Sequence, residues 1–315
     1  MKKNSRIFVA GHNGLVGSAI LRQLKKQEYT NIIVKNHNEL DLCDYNKVDE
    51  FFKTNNIEYV FLCAAKVGGI VANSKNKADF LNQNIYIEFN VINACLKYNI
   101  TKLMFFGSSC IYPKNCSQPM KEEYLLSGEL ESTNEGYALA KIAGLKYIEY
   151  INKELNKKYV SVMPTNLYGI NDNYNPKLSH VIPGMIDKIY KAKIFNAEYV
   201  ELYGTGTPLR EFMNSDDLAK VCINIMNSDL SNGIYNIGTG DEITIRELAN
   251  LIKKIIDYRG KIIFNSQYPD GVKRKIVDTE KIKKENYNLK RNITLEEGLK
   301  KAYKDYLKKY KKKKN

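Results

Sequence analysis

Tryptophan is missing from all 315 residues, histidine occurs three times and proline seven. Six cysteines stand at positions 43, 63, 95, 110, 116 and 222, with no CxxC pair among them. With so few histidines and no paired cysteines, zinc-type ligand spacing is excluded and no metal is expected. A chain of this length can also build its core without a disulfide scaffold, so most of the cysteines read as small buried hydrophobes. No stretch approaches the roughly 20 consecutive apolar residues of a membrane helix. Residues 1–6 carry neither an apolar core nor a small-residue cleavage site. The expectation is a cytoplasmic protein without membrane insertion. Acid is also scarce, 35 Asp and Glu against 49 Lys and Arg, for a net charge of +14. Six of the lysines fall in residues 308–315, which reads as a solvated, disordered basic tail. No helix-turn-helix, zinc-finger or RNP pattern accompanies it, so no nucleic-acid partner is expected. The remaining positive charge suits an anionic small ligand.

What is present is a strand–helix alternation. Residues 6–10 (RIFVA), 31–34, 59–63 (YVFLC), 103–106 (LMFF) and 160–163 read as short strands. Helical periodicity covers 15–26, 48–53, 78–98 and 137–155. Apolar runs without polar alternation are the mark of strands buried on both faces, hence of a parallel sheet covered by helices. Beyond about residue 165 the pattern loosens into Pro/Asn/Gly loops alternating with helices near 182–193, 216–226 and 245–256, with a closing helix at 295–307. The fold class expected is α/β, a doubly wound parallel sheet (residues 1–165) with a smaller C-terminal α/β lobe (166–307). The chain is expected to cross between the two.

Gly11, Gly14 and Gly17 follow the first strand and open the first helix. Glycines there let the backbone approach a pyrophosphate, which then sits at the helix N-terminus. This is the arrangement of a Rossmann-type dinucleotide site, to which Asn13, Leu15 and Val16 would also belong. The end of the second strand chooses between NAD and NADP by charge. It offers Lys35 and His37, with Glu39 as the first acid and Asp41 beyond, a weak lean to NADP. Ala64, Ala65 and Lys66, after the third strand, would line the cofactor groove. Tyr137 and Lys141 form a YxxxK pair on one helix face. A neighbouring ammonium eases phenolate formation, so the tyrosine can exchange a proton with a carbonyl or carbinol oxygen. Ser108, at the end of the fourth strand, would hydrogen-bond that oxygen.

Blocks 64–70 (AAKVGGI), 107–113 (GSSCIYP), 137–144 (YALAKIAG), 162–169 (VMPTNLYG), 179–183 (SHVIP), 206–212 (GTPLREF) and 269–271 (PDG) occur in order along nearly the whole chain. In them the chain resembles the GDP-L-fucose synthases, the GDP-4-keto-6-deoxy-mannose 3,5-epimerase/4-reductases of the extended short-chain dehydrogenase superfamily. The resemblance implies NADP(H), with NAD(H) left open, and a GDP-linked keto-sugar as substrate. Base/acid chemistry at C3 and C5 would fall to Cys110 and His180, and reduction at C4 to Ser108, Tyr137 and Lys141. It adds Pro164, Asn166, Leu167 and His180 to the cofactor site. Ser109, Cys110, Asn166, Val181, Lys188, Tyr203, Arg210 and Asp270 would hold the substrate, Tyr203 by stacking in place of a tryptophan and Arg210 through its planar fork on the diphosphate. It also implies a homodimer formed by helices 78–98 and 137–155.

The chain departs from its relatives' pattern at several places. Asn13 and His37 stand where arginines commonly take the 2′-phosphate. Gly136 and Ile170 replace prolines, and Asn214 replaces a histidine. Such changes leave open a GDP-4-keto-heptose substrate reduced at C4, with or without epimerisation. A 4-epimerase or 4,6-dehydratase holding NAD, and a non-catalytic NAD(P)-binding regulator, are the rival readings.

Overall fold

The computed structural model describes residues 1–230, 233–268, 270–285 and 292–312, without the side chains of residues 70, 71 and 312. Pro269 of the PDG block and the last three tail residues lie outside the described residues.

The first half alternates β1 (Ile7–Ala10), α1 (Leu15–Lys26), β2 (Ile32–Ile33), α2 (Tyr45–Asn55), β3 (Tyr59–Leu62), α3 (Ile70–Lys75), α4 (Lys77–Lys97), β4 (Lys102–Phe106), α5 (Glu135–Leu155) and β5 (Val160–Pro164). The second half runs β6 (Asn166–Tyr168), α6 (Val181–Ile194), β7 (Tyr199–Tyr203), β8 (Leu209–Asn214), α7 (Ser215–Asn227), β9 (Gly233–Ile237), β10 (Glu242–Thr244), α8 (Ile245–Ile256), β11 (Lys261–Asn265), β12 (Arg274–Lys275), α9 (Glu280–Lys284) and α10 (Leu295–Lys312).

Six strands form one sheet in the order β2-β1-β3-β4-β5-β9, and every pairing in it is parallel. The apolar strands are buried on both faces. One layer (Phe8, Phe51, Phe52, Leu62, Phe105, Leu145) packs under α2, α4 and α5, and the other (Ile20, Leu24, Phe61, Met104, Leu218, Ile223) under α1 and α7. The chain leaves β1 towards β2 and returns on the other side as β3. Between β1 and β3 the connections therefore diverge, and in such sheets ligands bind beyond the carboxyl ends of the strands at that point.

The remaining strands build a smaller region. β8 pairs with β10, β12 and β6, and β7 with β11, over a third cluster in which Ile186, Leu248, Ile252, Leu299 and Tyr306 meet. Residues 308–312 of the basic tail do not stay apart as a disordered end. α10 runs on to Lys312, because Tyr306 and Tyr310, one turn apart, both pack on Tyr190, with ring centroids 5.3 Å and 5.1 Å away. The second strand is shorter than its apolar run, covering Ile32–Ile33 alone.

Candidate active site

The cleft opens at the carboxyl ends of β1, β3, β4 and β5. Gly11 ends β1 with a φ of +80°, a left-handed conformation that strains any side chain, and a Cβ there would lie 2.7 Å from the Ala64 backbone. Gly17 is as constrained, since a Cβ would fall 2.2 Å from the Gly11 carbonyl oxygen. These contacts bind the glycine loop to the first turn of α1 and to the Ala64–Ala65 segment. Gly14 is the N-cap of α1 and provides no side-chain cap, and its own Cβ would meet only the Gly11 oxygen, at 3.4 Å. The free N–H groups of the helix thus face open space, a cradle that fits a dinucleotide pyrophosphate. Asn13 is exposed, and Leu15 and Val16 are half-buried at the start of α1.

At the edge of this groove Lys35 pairs with Glu39 at 3.3 Å, and His37 lies 3.7 Å from Asp41 with a largely exposed ring. Asp41 also accepts the Cys43 N–H. The Lys35–Glu39 pair is solvent-exposed and therefore weak, so Lys35 gives up little in turning to an incoming phosphate. On the far side the Lys66 N–H donates to Asn84 at 2.8 Å and its ammonium pairs with Asp79.

The chemical groups cluster where β4 and α5 meet. Ser108 caps a single 3-10 turn (Ser109–Ile111), its hydroxyl accepting the Cys110 N–H at 3.4 Å. That turn buries Ser109 and Cys110. Tyr137 and Lys141 do share one face of α5, with the ammonium 5.7 Å from the Tyr137 ring centroid. The expected effect of that ammonium on the phenol is not found. Lys141 is fully buried and ion-paired with Glu88 of α4 at 3.0 Å. Burial first, then the charges of Cys110 and Glu88, push Tyr137 well above the usual phenol range. The resting tyrosine is a proton donor.

Cys110 is likewise held as a thiol. Burial raises it, outweighing the opposing pull of Lys275, Ser108 and Lys141. His180 is the N-cap of α6 and stands on the wall of the open cleft, where water reaches it while protein crowds it. That crowding, then the charge of Lys275, lowers its pKa, leaving a neutral imidazole. The loop before it is seated on the cofactor groove, because Gly69 donates to the Leu178 carbonyl at 3.0 Å. Lys275 was not foreseen from the sequence, yet its charge reaches both Cys110 and His180.

Arg210 and Lys275 are in register on the adjacent strands β8 and β12, two cations side by side with no ion pair to either among the described residues. Arg210 donates to its own neighbour's carbonyl, Leu209, at 2.8 Å. Its sequence neighbour Glu211 is no surface partner. That carboxylate is fully buried and accepts backbone N–H groups of Thr239, Gly240 and Val277. Asn166 donates to the Glu211 carbonyl at 2.8 Å, tying β6 to β8 between buried Pro164 and half-buried Leu167. Further out Tyr203 stacks on Tyr268 with centroids 3.9 Å apart, and Lys188 lies over the Tyr203 ring at 4.9 Å. Val181 is exposed. Asp270 accepts from the Thr205 N–H at 2.9 Å and its hydroxyl at 2.7 Å, pinning the loop between β7 and β8. Two of the departures find local causes. At Gly136 a Cβ would sit 2.3 Å from the Lys77 carbonyl oxygen, and Asn214 caps α7 by accepting the Asp216 N–H.

The model of the "NAD dependent epimerase/dehydratase family" matches residues 7–238. The chain belongs to that family. The chain is similar to a putative GDP-L-fucose synthase 2 of Arabidopsis thaliana, 46% identical over 307 residues, which are 98% of this chain and 93% of the relative. The GDP-L-fucose synthase of Escherichia coli (strain K12) is 45% identical, with 96% of each chain covered. Among solved structures, a GDP-mannoheptose C4 reductase from Campylobacter jejuni with NADP bound is 36% identical, with a TM-score of 0.88 over 98% of this chain and 99% of that one. Within the epimerase/dehydratase family the glycine loop and the YxxxK pair were legible from spacing. Glu88, Lys275 and Tyr268 were missed. Only Glu88 left a sequence signal, an acid on the apolar stripe formed by Ile85, Val91 and Ile92.

Proposed function

We propose that the chain is an NADP(H)-dependent epimerase/reductase that inverts C3 and C5 of GDP-4-keto-6-deoxy-mannose and reduces C4, giving GDP-L-fucose. The observation that carries this is the shared cleft. A thiol (Cys110) and a neutral imidazole (His180) lie in the field of one lysine, beside a phenol donor set by Tyr137 and Lys141. The thiol and the imidazole thus give one proton donor and one proton acceptor for the inversions, and the phenol is a further donor for the reduction. Each inversion needs one proton removed from a carbon that the C4 carbonyl acidifies and one returned on the opposite face. Tyr137 gives its proton to the C4 oxygen, with Ser108 holding that oxygen. Bound NADPH supplies the hydride. Gly11, Gly14 and Gly17 seat its pyrophosphate, with Lys35 and His37 towards the 2′-phosphate and Lys66 at the groove wall. Arg210 and Lys275 face the GDP diphosphate, and the Tyr203–Tyr268 pair presents a flat ring to the base. Asp270 supports that loop, and Asn166, Val181 and Lys188 line the approach.

The test is NADPH and NADH oxidation with fresh GDP-4-keto-6-deoxy-mannose in D2O, the product read by NMR. Oxidation with deuterium at C3 and C5 and a fucose-configured product is expected. Exchange into the substrate is expected to fail in Cys110→Ala while Tyr137→Phe retains it. Oxidation without deuterium favours a second reading, C4 reduction of a GDP-4-keto-heptose, for which the Campylobacter relative speaks. Absence of oxidation with both sugars would defeat the reductase. Against a non-catalytic regulator stands the intact Ser108–Tyr137–Lys141 set, assembled in one cleft.

The same proposal includes a homodimer through α4 and α5. Tyr86 and Tyr150 leave about half their surface exposed on these helices, beside the stacked Phe89–Tyr147 pair at 4.9 Å. Light scattering reads the mass directly, and a monomer refutes it.

A further inference from the structure

Glu88 sits mid-way along α4, on the buried face that meets α5, with no exposed surface. Apart from the Lys141 ammonium at 3.0 Å, its carboxylate oxygens have no hydrogen-bond partner. A buried ion pair of this kind contributes little net stability, and apolar residues of similar volume commonly do as well or better. The space for it has been made by α5. At Gly144 a Cβ would fall 2.5 Å from Glu88 Oε2, so a glycine stands in the middle of a 21-residue helix, where it costs about 1 kcal/mol relative to alanine. Two costs at one point, a desolvated carboxylate and a mid-helix glycine, call for a role in the chemistry.

Lys141 points at the Phe105 ring (4.8 Å) and the Tyr137 ring (5.7 Å). The charged and titratable groups around this centre are Cys63 at the end of β3, Cys110 on the turn after β4, Tyr137 and Lys141 on α5, and Lys275 beyond Cys110. Among the described residues Glu88 is the one carboxylate whose charge raises Tyr137; Glu131 acts on Lys275 beyond. We propose that Glu88 is a positioning residue: its carboxylate anchors the Lys141 ammonium and offsets that ammonium's field at Tyr137, adding to the burial that keeps the tyrosine a proton donor. This rests on the reductase reading above and deepens it. In the reducing direction Tyr137 must arrive protonated, and an unopposed lysine would favour the phenolate. Glu88 biases the Tyr137–Lys141 pair towards giving a proton to the C4 oxygen.

The test titrates Tyr137 itself. With tyrosine labelled at the ring carbon bearing the hydroxyl, the Tyr137 resonance is assigned by its loss in Tyr137→Phe and followed against pH. In Glu88→Gln its midpoint is expected at least about one pH unit below wild type, the scale of a single neighbouring charge. Glu88→Asp, which keeps the charge, should return it close to wild type. Gly144→Ala keeps every charged group but pushes the carboxylate away from α5, the helix that carries both Lys141 and Tyr137. It should shift the midpoint the same way by less, and it serves if Glu88→Gln fails to fold. In turnover, the alkaline limb of kcat should move down with the resonance while KM for the sugar stays put. An unmoved midpoint in Glu88→Gln or Gly144→Ala overturns the proposal, as does Glu88→Asp falling as far as Glu88→Gln. The titration needs no substrate, so a wild type that oxidises no NADPH would defeat the reductase reading and leave this result standing.

Discussion

Glu211→Gln removes one charge and changes almost no volume, and the structure makes it expensive. The carboxylate is wholly buried on β8. One oxygen accepts the N–H groups of Thr239 and Gly240, the latter at 2.8 Å. The other accepts the Val277 N–H at 3.1 Å. It therefore joins three segments distant in sequence: β8, the loop after β9 and the chain after β12. An amide can keep its oxygen towards Thr239 and Gly240, but its NH2 group then faces the Val277 N–H, donor against donor. A buried N–H left unpaired costs about 1–3 kcal/mol, and each of the two surviving bonds loses about 1 kcal/mol with its charge. The expected loss is about 3–5 kcal/mol, a large share of the 5–15 kcal/mol typical of a domain. Urea unfolding followed by circular dichroism reads it. Glu280→Gln is the control, the same change at an exposed pair with Lys283, expected to cost far less. A Glu211→Gln loss no larger than the control would refute the idea that this carboxylate clamps the three segments. Because Arg210 is its neighbour on β8, a folded Glu211→Gln should also raise KM for the GDP-sugar more than it lowers kcat.

Other outcomes follow from single sites. Asp172 is buried and its pKa is raised to about 7. A raised acid favours the folded state while protonated, so its contribution is greatest below pH 4 and is lost as pH climbs towards 7. Asp172→Asn should therefore raise Tm at pH 8, by up to about 4 kcal/mol of stability, and change it little at pH 4; an equal effect at both would refute the assignment. Gly17→Ala drives a methyl into the Gly11 backbone and should weaken NADPH binding by fluorescence titration about tenfold or more. Gly14→Ala meets the Gly11 oxygen only at an ordinary contact distance, 3.4 Å, so a large loss there reports the closeness of the phosphates themselves, and the cradle is misplaced if Gly17→Ala binds as wild type does.

What could be read from the sequence was what is local. Gly11–Gly17 lie between one strand and one helix, and Tyr137 and Lys141 are one turn apart, so spacing alone brings them together. Glu88 and Lys141 are on different helices, and Arg210 and Lys275 are joined only by the pairing of β8 with β12. No spacing rule spans such distances. The protonation states failed for a related reason. Tyr137 does lie near a cation, as the motif suggests, but burial keeps it protonated, as it does the Cys110 thiol, and burial is a property of the assembled fold. The tail was misread because its lysines dominate the composition, whereas two tyrosines decide its packing.

The position of β9 bears on how the molecule is made. Its partner β5 ends at Pro164, but β9 begins only at Gly233, after β6, β7 and β8 have been laid down elsewhere. On the ribosome, an otherwise finished nucleotide-binding sheet must wait with an open, apolar edge until the chain has gone out and come back. Such an edge invites other strands. The sheet begun by the first half is completed only by a strand from the second, and until that strand is made the nascent chain carries an unpaired β5 edge.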